Sequence, residues 1–396
     1  MISQKMVGLV KGSSVIRAMF EEGKQMAKKY GPENVFDFSL GNPNVPAPKA
    51  VNEKIKAIVD KEDPIVLHGY MSNSGYEDVR EAIAQSLNKR FNTSFTQKNI
   101  IMTVGAAGGL NVAFKSILDP NDEVIVIAPY FGEYKNYVSN FDAKLVEVKP
   151  NPPTFEPNYE DFEAKINLKT KAVIINNPNN PTGIIYKKEW IEKLANILEK
   201  KQKELNTCIY LISDEPYREL VFKDVEVPYL PNYYKNTIVG YSYSKSLSLP
   251  GERIGYLVVP NEADSFEDLI SAMSVATRIL GFVNAPSLQQ KLIKECLDEK
   301  TDIEAYNKNR IKLYEGLKAL NFECVEPEGA FYLFMKSPIE DDMEFVKIAK
   351  EYNILMVPAS SFGVKGYVRM AYCVAYSTIE NSLPQFAKLA KRFNLQ

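Results

Sequence analysis

The run Ser242-Tyr243-Ser244-Lys245, followed by Gly251-Glu252-Arg253-Ile254-Gly255, puts one amine, two serine hydroxyls and one guanidinium at the end of an apolar stretch, Thr237–Tyr241. A lysine amine there can condense with an aldehyde to form an imine. Hydroxyls and a guanidinium beside it can hold a phosphate. An aldehyde and a phosphate on one small molecule describe pyridoxal phosphate (PLP), whose protein sites pair an imine-forming lysine with an acidic partner for the pyridine nitrogen. Alone, Lys245 reads as one of many solvated surface lysines; the spacing to Arg253 between two glycines favours the cofactor, and the rest of the chain decides.

Four further stretches offer matching partners. Val104-Gly105-Ala106-Ala107-Gly108-Gly109 opens a helix with small residues, which lets a phosphate approach free backbone N–H groups at the positive end of the helix dipole. Phe131, after Pro129-Tyr130, can stack on a flat heteroaromatic ring, or belong to the core. Asn180, in Asn177-Pro178-Asn179-Asn180-Pro181-Thr182-Gly183, can donate to a phenolic oxygen, although Asn-Pro turns are often purely structural. Asp214 directly follows the apolar Cys208–Ser213. A carboxylate there is costly to bury unless paired, and a pyridinium N–H pairs with it, making the ring an electron sink; a helix cap is the plainer use of such a residue. Together these residues match the ring nitrogen, ring oxygen, ring face, phosphate and aldehyde.

The elements that must position them alternate. Short apolar runs at 99–103, 123–128, 144–148, 172–176, 208–213, 237–241 and 254–259 read as strands, with helices at 106–118, weakly at 160–166, and at 188–206. Continuous apolar strands alternating with helices imply a mostly parallel sheet covered on both faces, and ligands of such sheets bind beyond the carboxyl ends of the strands. After about residue 290 the pattern changes: helices at 303–320, 342–352 and 379–393 accompany strands at 330–335 and 367–375 that alternate as if one face were solvated.

The 396 residues suit two to three domains, or one large α/β domain with a smaller companion. With 48 basic and 50 acidic side chains there is no basic stripe, so neither nucleic acid nor a membrane surface is expected as a partner. Cys208, Cys296, Cys324 and Cys373 form no metal-binding or disulfide spacing. Reduced thiols and the absence of a signal-peptide pattern point to the cytoplasm. The single histidine, His68, excludes a multi-histidine metal centre, so no metal is expected and acid–base work falls to another group such as a lysine.

At these residues the chain resembles the PLP-dependent class I/II aminotransferases of fold type I, the aspartate aminotransferase group, over nearly its whole length. Leu40-Gly41-Asn42-Pro43, Asn177 to Gly183, Ser213 to Tyr217, Ser244 to Gly255, Pro327-Glu328-Gly329-Ala330-Phe331-Tyr332 and Val368-Arg369-Met370-Ala371 carry the resemblance. It implies an α/β architecture: a large PLP-binding domain at 49–288, with a mostly parallel mixed sheet sandwiched by helices, and a smaller α+β domain from 1–48 and 289–396. It implies that Lys245 holds the cofactor and shuttles the proton, Asp214 pairs with the ring nitrogen, and Asn180 and Tyr217 bond the ring oxygen. Phe131 would stack on the ring, and Gly105, Ala106, Ala107, Ser242, Ser244 and Arg253 would surround the phosphate. Arg369 would fork the substrate α-carboxylate, with Gly41 and Asn180 nearby. Tyr70 would reach the phosphate of a second subunit, making a homodimer with composite active sites. Arg278 lies near, but one residue off, the position from which dicarboxylate-specific relatives contact the distal carboxylate; a surface or interface role is equally open. His68 is expected to be packed, with the substrate entrance as the alternative.

The activity implied is transfer of the α-amino group of an L-amino acid, aspartate first, to a 2-oxo acid such as 2-oxoglutarate, through a ping-pong cycle of PLP and pyridoxamine phosphate. A carbon–sulfur β-lyase would use the same site, differing only in the substrate pocket. A non-catalytic regulatory protein of the same fold is disfavoured by the presence of Lys245 and Asp214.

Overall fold

The computed structural model describes residues 2–11 and 15–396; of the expected 1–48 segment, residues 1 and 12–14 lie outside the described residues. Seven strands, β1 (Ile100–Thr103), β2 (Glu123–Ile127), β3 (Lys144–Val148), β4 (Thr170–Asn176), β5 (Tyr210–Asp214), β6 (Thr237–Ser242) and β7 (Gly255–Val258), form one sheet in the order β1-β7-β6-β5-β4-β2-β3. The pairings among β2 to β6 are parallel, whereas β7 runs antiparallel to both its neighbours. The reversal follows from the connection after β6, which holds a one-turn helix, Tyr243–Ser246, and no crossover helix.

Helices cover both faces. At β1, β6 and β7 alternate side chains enter different cores: Ile101, Ile238 and Leu257 face one, while Met102, Val239, Tyr256 and Val258 face the other. On the first face lies α1 (Gly105–Ile117), which begins two residues after β1. Packed on the same sheet, α2 (Lys188–Leu205) buries Ile191, Leu194, Ala195 and Leu198 at helical spacing and ends on Asn206 in the left-handed conformation.

A second sheet of β8 (Cys324–Val325), β9 (Tyr332–Lys336), β10 (Val357–Pro358) and β11 (Tyr367–Ala371) is antiparallel, in the order β10-β11-β9-β8. It shares an apolar core with α3 (Ile303–Ala319), α4 (Asp342–Lys350) and α5 (Tyr376–Arg392), and with Val35, Phe36, Phe38 and Val45. Phe36–Asp37 adds a short parallel ladder to Ile354–Leu355.

Two expectations for this region are corrected. β9 and β11 have no solvated face, since all but the terminal Lys336 and Tyr367 are buried. Their alternation separates side chains facing the helices from side chains facing a pocket and the larger sheet. The second strand ends at Ala371 rather than 375 because the next residue leaves the ladder: Tyr372 N–H donates to Phe331 O, and Asn309 Nδ2 donates to Tyr372 O and Val374 O. His68, expected to be packed, is exposed at the end of the short helix Pro64–His68.

Candidate active site

The sheet register assembles the site. The last residue of β4, Asn176, lies beside Asp214, the last residue of β5, and Asp214 lies beside Gly240 of β6. One row further, Ser242 pairs with Gly255 and Gly255 with Thr103. The strand ends carrying Asn180, Asp214, Lys245, Arg253 and Gly105 therefore converge on one edge. Gly41, Ala106, Ala107, Phe131, Asn180, Tyr217, Ser242, Ser244, Lys245, Arg253 and Arg369 line one continuous pocket there, and Asp214 lies on its inner wall.

Asp214 is only 5% exposed. Tyr134 donates to its Oδ2 at 2.5 Å, and its Oδ1 has no protein partner. Burial, assisted by Glu215, pushes its carboxyl up to about 7 against the Tyr134 bond that lowers it. The turn carrying it is pinned from behind by the buried Glu215–Arg218 pair at 2.5 Å and by Arg218 donating to Val227 O and Pro228 O. An unbonded, buried, reluctant carboxylate oxygen is the partner a ring N–H requires, so Asp214 fits the pyridine end of PLP.

Lys245 is part-buried, and its Nζ donates to Gly41 O at 2.7 Å. Burial foremost, with Arg253 and Arg369 nearby, draws its pKa down to about 8. Desolvation thus leaves more of this amine neutral near pH 7 than of a surface lysine, available to attack a carbonyl or take up a proton.

At the phosphate end, Ser242 and Ser244 share a hydroxyl contact of 2.7 Å, and Arg253 Nη1 reaches Ser244 Oγ at 3.5 Å and Pro250 O at 3.0 Å. Gly105 adopts φ 67°, and a Cβ there would lie 2.5 Å from Arg253 Nη2. Glycine is what lets the helix start and the guanidinium share this cradle.

Arg369, in the middle of β11, is 2% exposed. Its Nη1 donates to Asn180 Oδ1 at 3.2 Å and its Nη2 to Ser39 O, while its Nε has no partner. No carboxylate among the described residues lies within ion-pairing distance, and the charge rests between the rings of Tyr332 and Phe362 at 4.6 and 5.0 Å. Because Asn180 Oδ1 accepts from Arg369, its amide NH₂ is left as the donor, in the sense required for a phenolic oxygen.

Three residues with a bearing on the site had no role assigned from sequence. Tyr134 orients Asp214 and meets Phe131 edge-on at 5.6 Å. Tyr332 bonds the Tyr217 hydroxyl at 2.8 Å. Cys373 sits beside Lys245 and Arg369 with its thiol pushed up to about 12 by burial. The motif ending in Tyr332 was visible in the sequence, but nothing there said which group its hydroxyl meets. Tyr70 and Arg278 do not join the pocket of their own chain: Tyr70 is 92% exposed and Arg278 is exposed on the helix Phe266–Ile279.

A desolvated lysine, a buried acid with one unbonded oxygen and a glycine-lined cluster of serine hydroxyls and a guanidinium at the edge of this sheet fit PLP and the transferases of fold type I. The chain belongs to the family aminotransferase class I and II, whose model matches residues 33–383. It is 30% identical to an aspartate aminotransferase of Thermotoga maritima over 91% of this chain and 92% of the relative. It is 31% identical to an aspartate/prephenate aminotransferase of Thermus thermophilus, over 89% and 90%. Among solved structures, an amino transferase from Eubacterium rectale superposes with a TM-score of 0.97 at 47% identity, covering 100% of both chains. Aspartate aminotransferase from Thermus thermophilus with maleate superposes with a TM-score of 0.85 at 28% identity, covering 95% of this chain and 97% of that one. The protein is an aminotransferase that uses PLP, with amino acids and 2-oxo acids as its substrate classes. No helix of the described residues is long and apolar enough to cross a membrane.

Proposed function

We propose that this aminotransferase moves the α-amino group of L-aspartate to 2-oxoglutarate. The observation that carries a carboxylate-bearing substrate is Arg369, a buried guanidinium with an unbonded Nε and no acid partner among the described residues. Such a charge is costly unless paired, and a substrate α-carboxylate supplies the planar, two-oxygen partner that its fork matches. The choice of aspartate is supported by the names of the relatives.

Bound PLP supplies an electron-withdrawing ring that takes up the electron pair left when a Cα–H bond breaks, and a carrier for the amino group between half-reactions. The chain's residues do the rest. Arg369 and Asn180 fix the α-carboxylate and so orient the Cα–H bond. Lys245 takes the α-proton and returns it, and the burial that lowers its pKa favours the neutral amine this needs. Asp214 keeps the ring nitrogen protonated, Phe131 covers the ring face, and Tyr217 donates to the ring oxygen. Gly105, Ala106, Ala107, Ser242, Ser244 and Arg253 hold the phosphate.

The same reading makes the enzyme a homodimer of composite sites. The exposure of Tyr70 and Arg278, outside their own pocket, supports a role for each across the interface. It divides the chain into a large domain at 49–288 and a small one from 1–48 and 289–396, supported by the separate apolar core of the second sheet. It places the enzyme in the cytoplasm, supported by four unpaired thiols.

The test is turnover of holoenzyme with L-aspartate and 2-oxoglutarate, following oxaloacetate through an NADH-coupled dehydrogenase. Turnover of roughly 1–10³ s⁻¹ is expected. Transamination of other L-amino acids with only background release from aspartate would reject aspartate as the donor.

A further inference from the structure

We propose that Tyr332 is a positioning residue for Tyr217: its hydroxyl donates to the Tyr217 oxygen and thereby commits the single Tyr217 proton to the ring oxygen of PLP. This rests on the reading in which Tyr217 faces that oxygen. The two hydroxyls lie 2.8 Å apart in the buried pocket wall. Each phenol carries one proton, so only one of the two can donate across this contact. If Tyr217 donated to Tyr332, it would have nothing left for the ring oxygen.

The surroundings set the direction. The Arg369 guanidinium lies 4.6 Å from the Tyr332 ring centre, and a cation over a phenol makes it the more acidic donor. Burial raises both phenols, Tyr332 to about 12 with Arg369 holding it down, and Tyr217 well above its usual range, where Tyr332 and Asp214 add to the rise and Arg369 opposes it. The Cys373 thiol also bears on Tyr332 and disfavours its ionisation, whereas its hydrogen bond with Tyr217 favours it. The geometry is locked: Tyr332 is held in β9 opposite Ala371, its ring meets Tyr217 at 5.6 Å and 80°, and a Cβ on Gly41 would overlap its hydroxyl. Gly41, whose carbonyl takes the Lys245 ammonium, therefore also makes room for Tyr332 Oη.

A donor that itself accepts a hydrogen bond is polarised and donates more strongly. Without the Tyr332 hydroxyl, negative charge on the ring oxygen is less stabilised, and the bound cofactor keeps its proton to higher pH. The experiment is a pH titration of the visible absorbance of the PLP-loaded wild type, Tyr332→Phe, Tyr217→Phe and the double variant. Phenylalanine keeps the ring under Arg369 and removes only the oxygen. Tyr332→Phe should raise the midpoint by about half a pH unit, Tyr217→Phe should raise it further, and the double variant should go no further than Tyr217→Phe. An unmoved midpoint in Tyr332→Phe, or a shift that adds in full to that of Tyr217→Phe, overturns the proposal. An unmoved midpoint in Tyr217→Phe itself overturns the placement of Tyr217, and the relay falls with it.

Discussion

Gly105→Ala separates the phosphate cradle from the fold that carries it. Gly105 holds φ 67°, where a side chain costs about 1–2 kcal/mol. Its Cβ would lie 2.5 Å from Arg253 Nη2 and 3.0 Å from the guanidinium carbon, about 1 Å inside ordinary contact. Arg253 is tethered to Pro250 O at 3.0 Å, so the guanidinium must swing outward, away from the helix start. A hydrogen bond to a charged group is worth about 1.5–3 kcal/mol, and about 1.4 kcal/mol is tenfold in affinity, so the Kd for PLP should rise roughly 10- to 150-fold. The backbone strain acts with or without cofactor. In a chain of 396 residues it should lower the melting temperature of the apo protein by only about 1–2 °C. Equilibrium titration of apo protein with PLP, alongside calorimetry without PLP, reads the two effects separately. Unchanged PLP affinity, with the small melting shift present, would refute the assignment of Arg253 to the phosphate.

Asp214→Asn should retain PLP but lower kcat by about 10²–10⁴, since an amide cannot hold the ring nitrogen protonated; near-normal turnover would sink the electron-sink role. The same variant reports on the apo protein. The folded-state pKa of Asp214 is raised from 3.8 to about 7, so the stability of its neutral form is fully present below pH 3.8 and lost as pH rises through 7. Apo Asp214→Asn should therefore out-melt apo wild type most clearly above pH 7, with the gap closing toward pH 4; a gap independent of pH would contradict the burial argument. Composite sites predict complementation: mixing Tyr70→Phe with Lys245→Ala protomers should restore one intact site per hybrid dimer. Activity no greater than that of the separate variants would place Tyr70 elsewhere.

Much of this site was legible because each group sits at a break between an apolar strand and its turn. Lys245, Asp214, Asn180 and Gly105 follow runs whose burial is dictated by composition, and a parallel sheet brings all such ends to one edge. Boundaries shifted by one to four residues where hydrogen bonds outside the ladder decide them. Asp214 closes β5 rather than following it, and Tyr372 turns away to meet Phe331. The antiparallel run of β7 was not legible, because an apolar strand reads the same in either direction.

The residues that escaped share a physical cause. Tyr134, Tyr332 and Cys373 act through partners distant in sequence, so no local pattern marks them. In β9 and β11 alternation is normally taken to separate a core from water. Here it separates a core from a pocket, and the polar residue that interrupts β11, Arg369, is 2% exposed. A guanidinium flanked by Val368 and Met370, with no acid near it in the strand, is poor solvent-face design, because a solvated strand has little reason to hold a single unpaired cation between apolar neighbours. It is good ligand-site design, because the buried charge is relieved only when a carboxylate arrives. The same logic explains why the aromatic residues around it are not simply packing. The ring of Tyr332 lies against the cation while its hydroxyl reaches Tyr217, so the residues proposed for the substrate carboxylate and for the cofactor oxygen meet in one side chain.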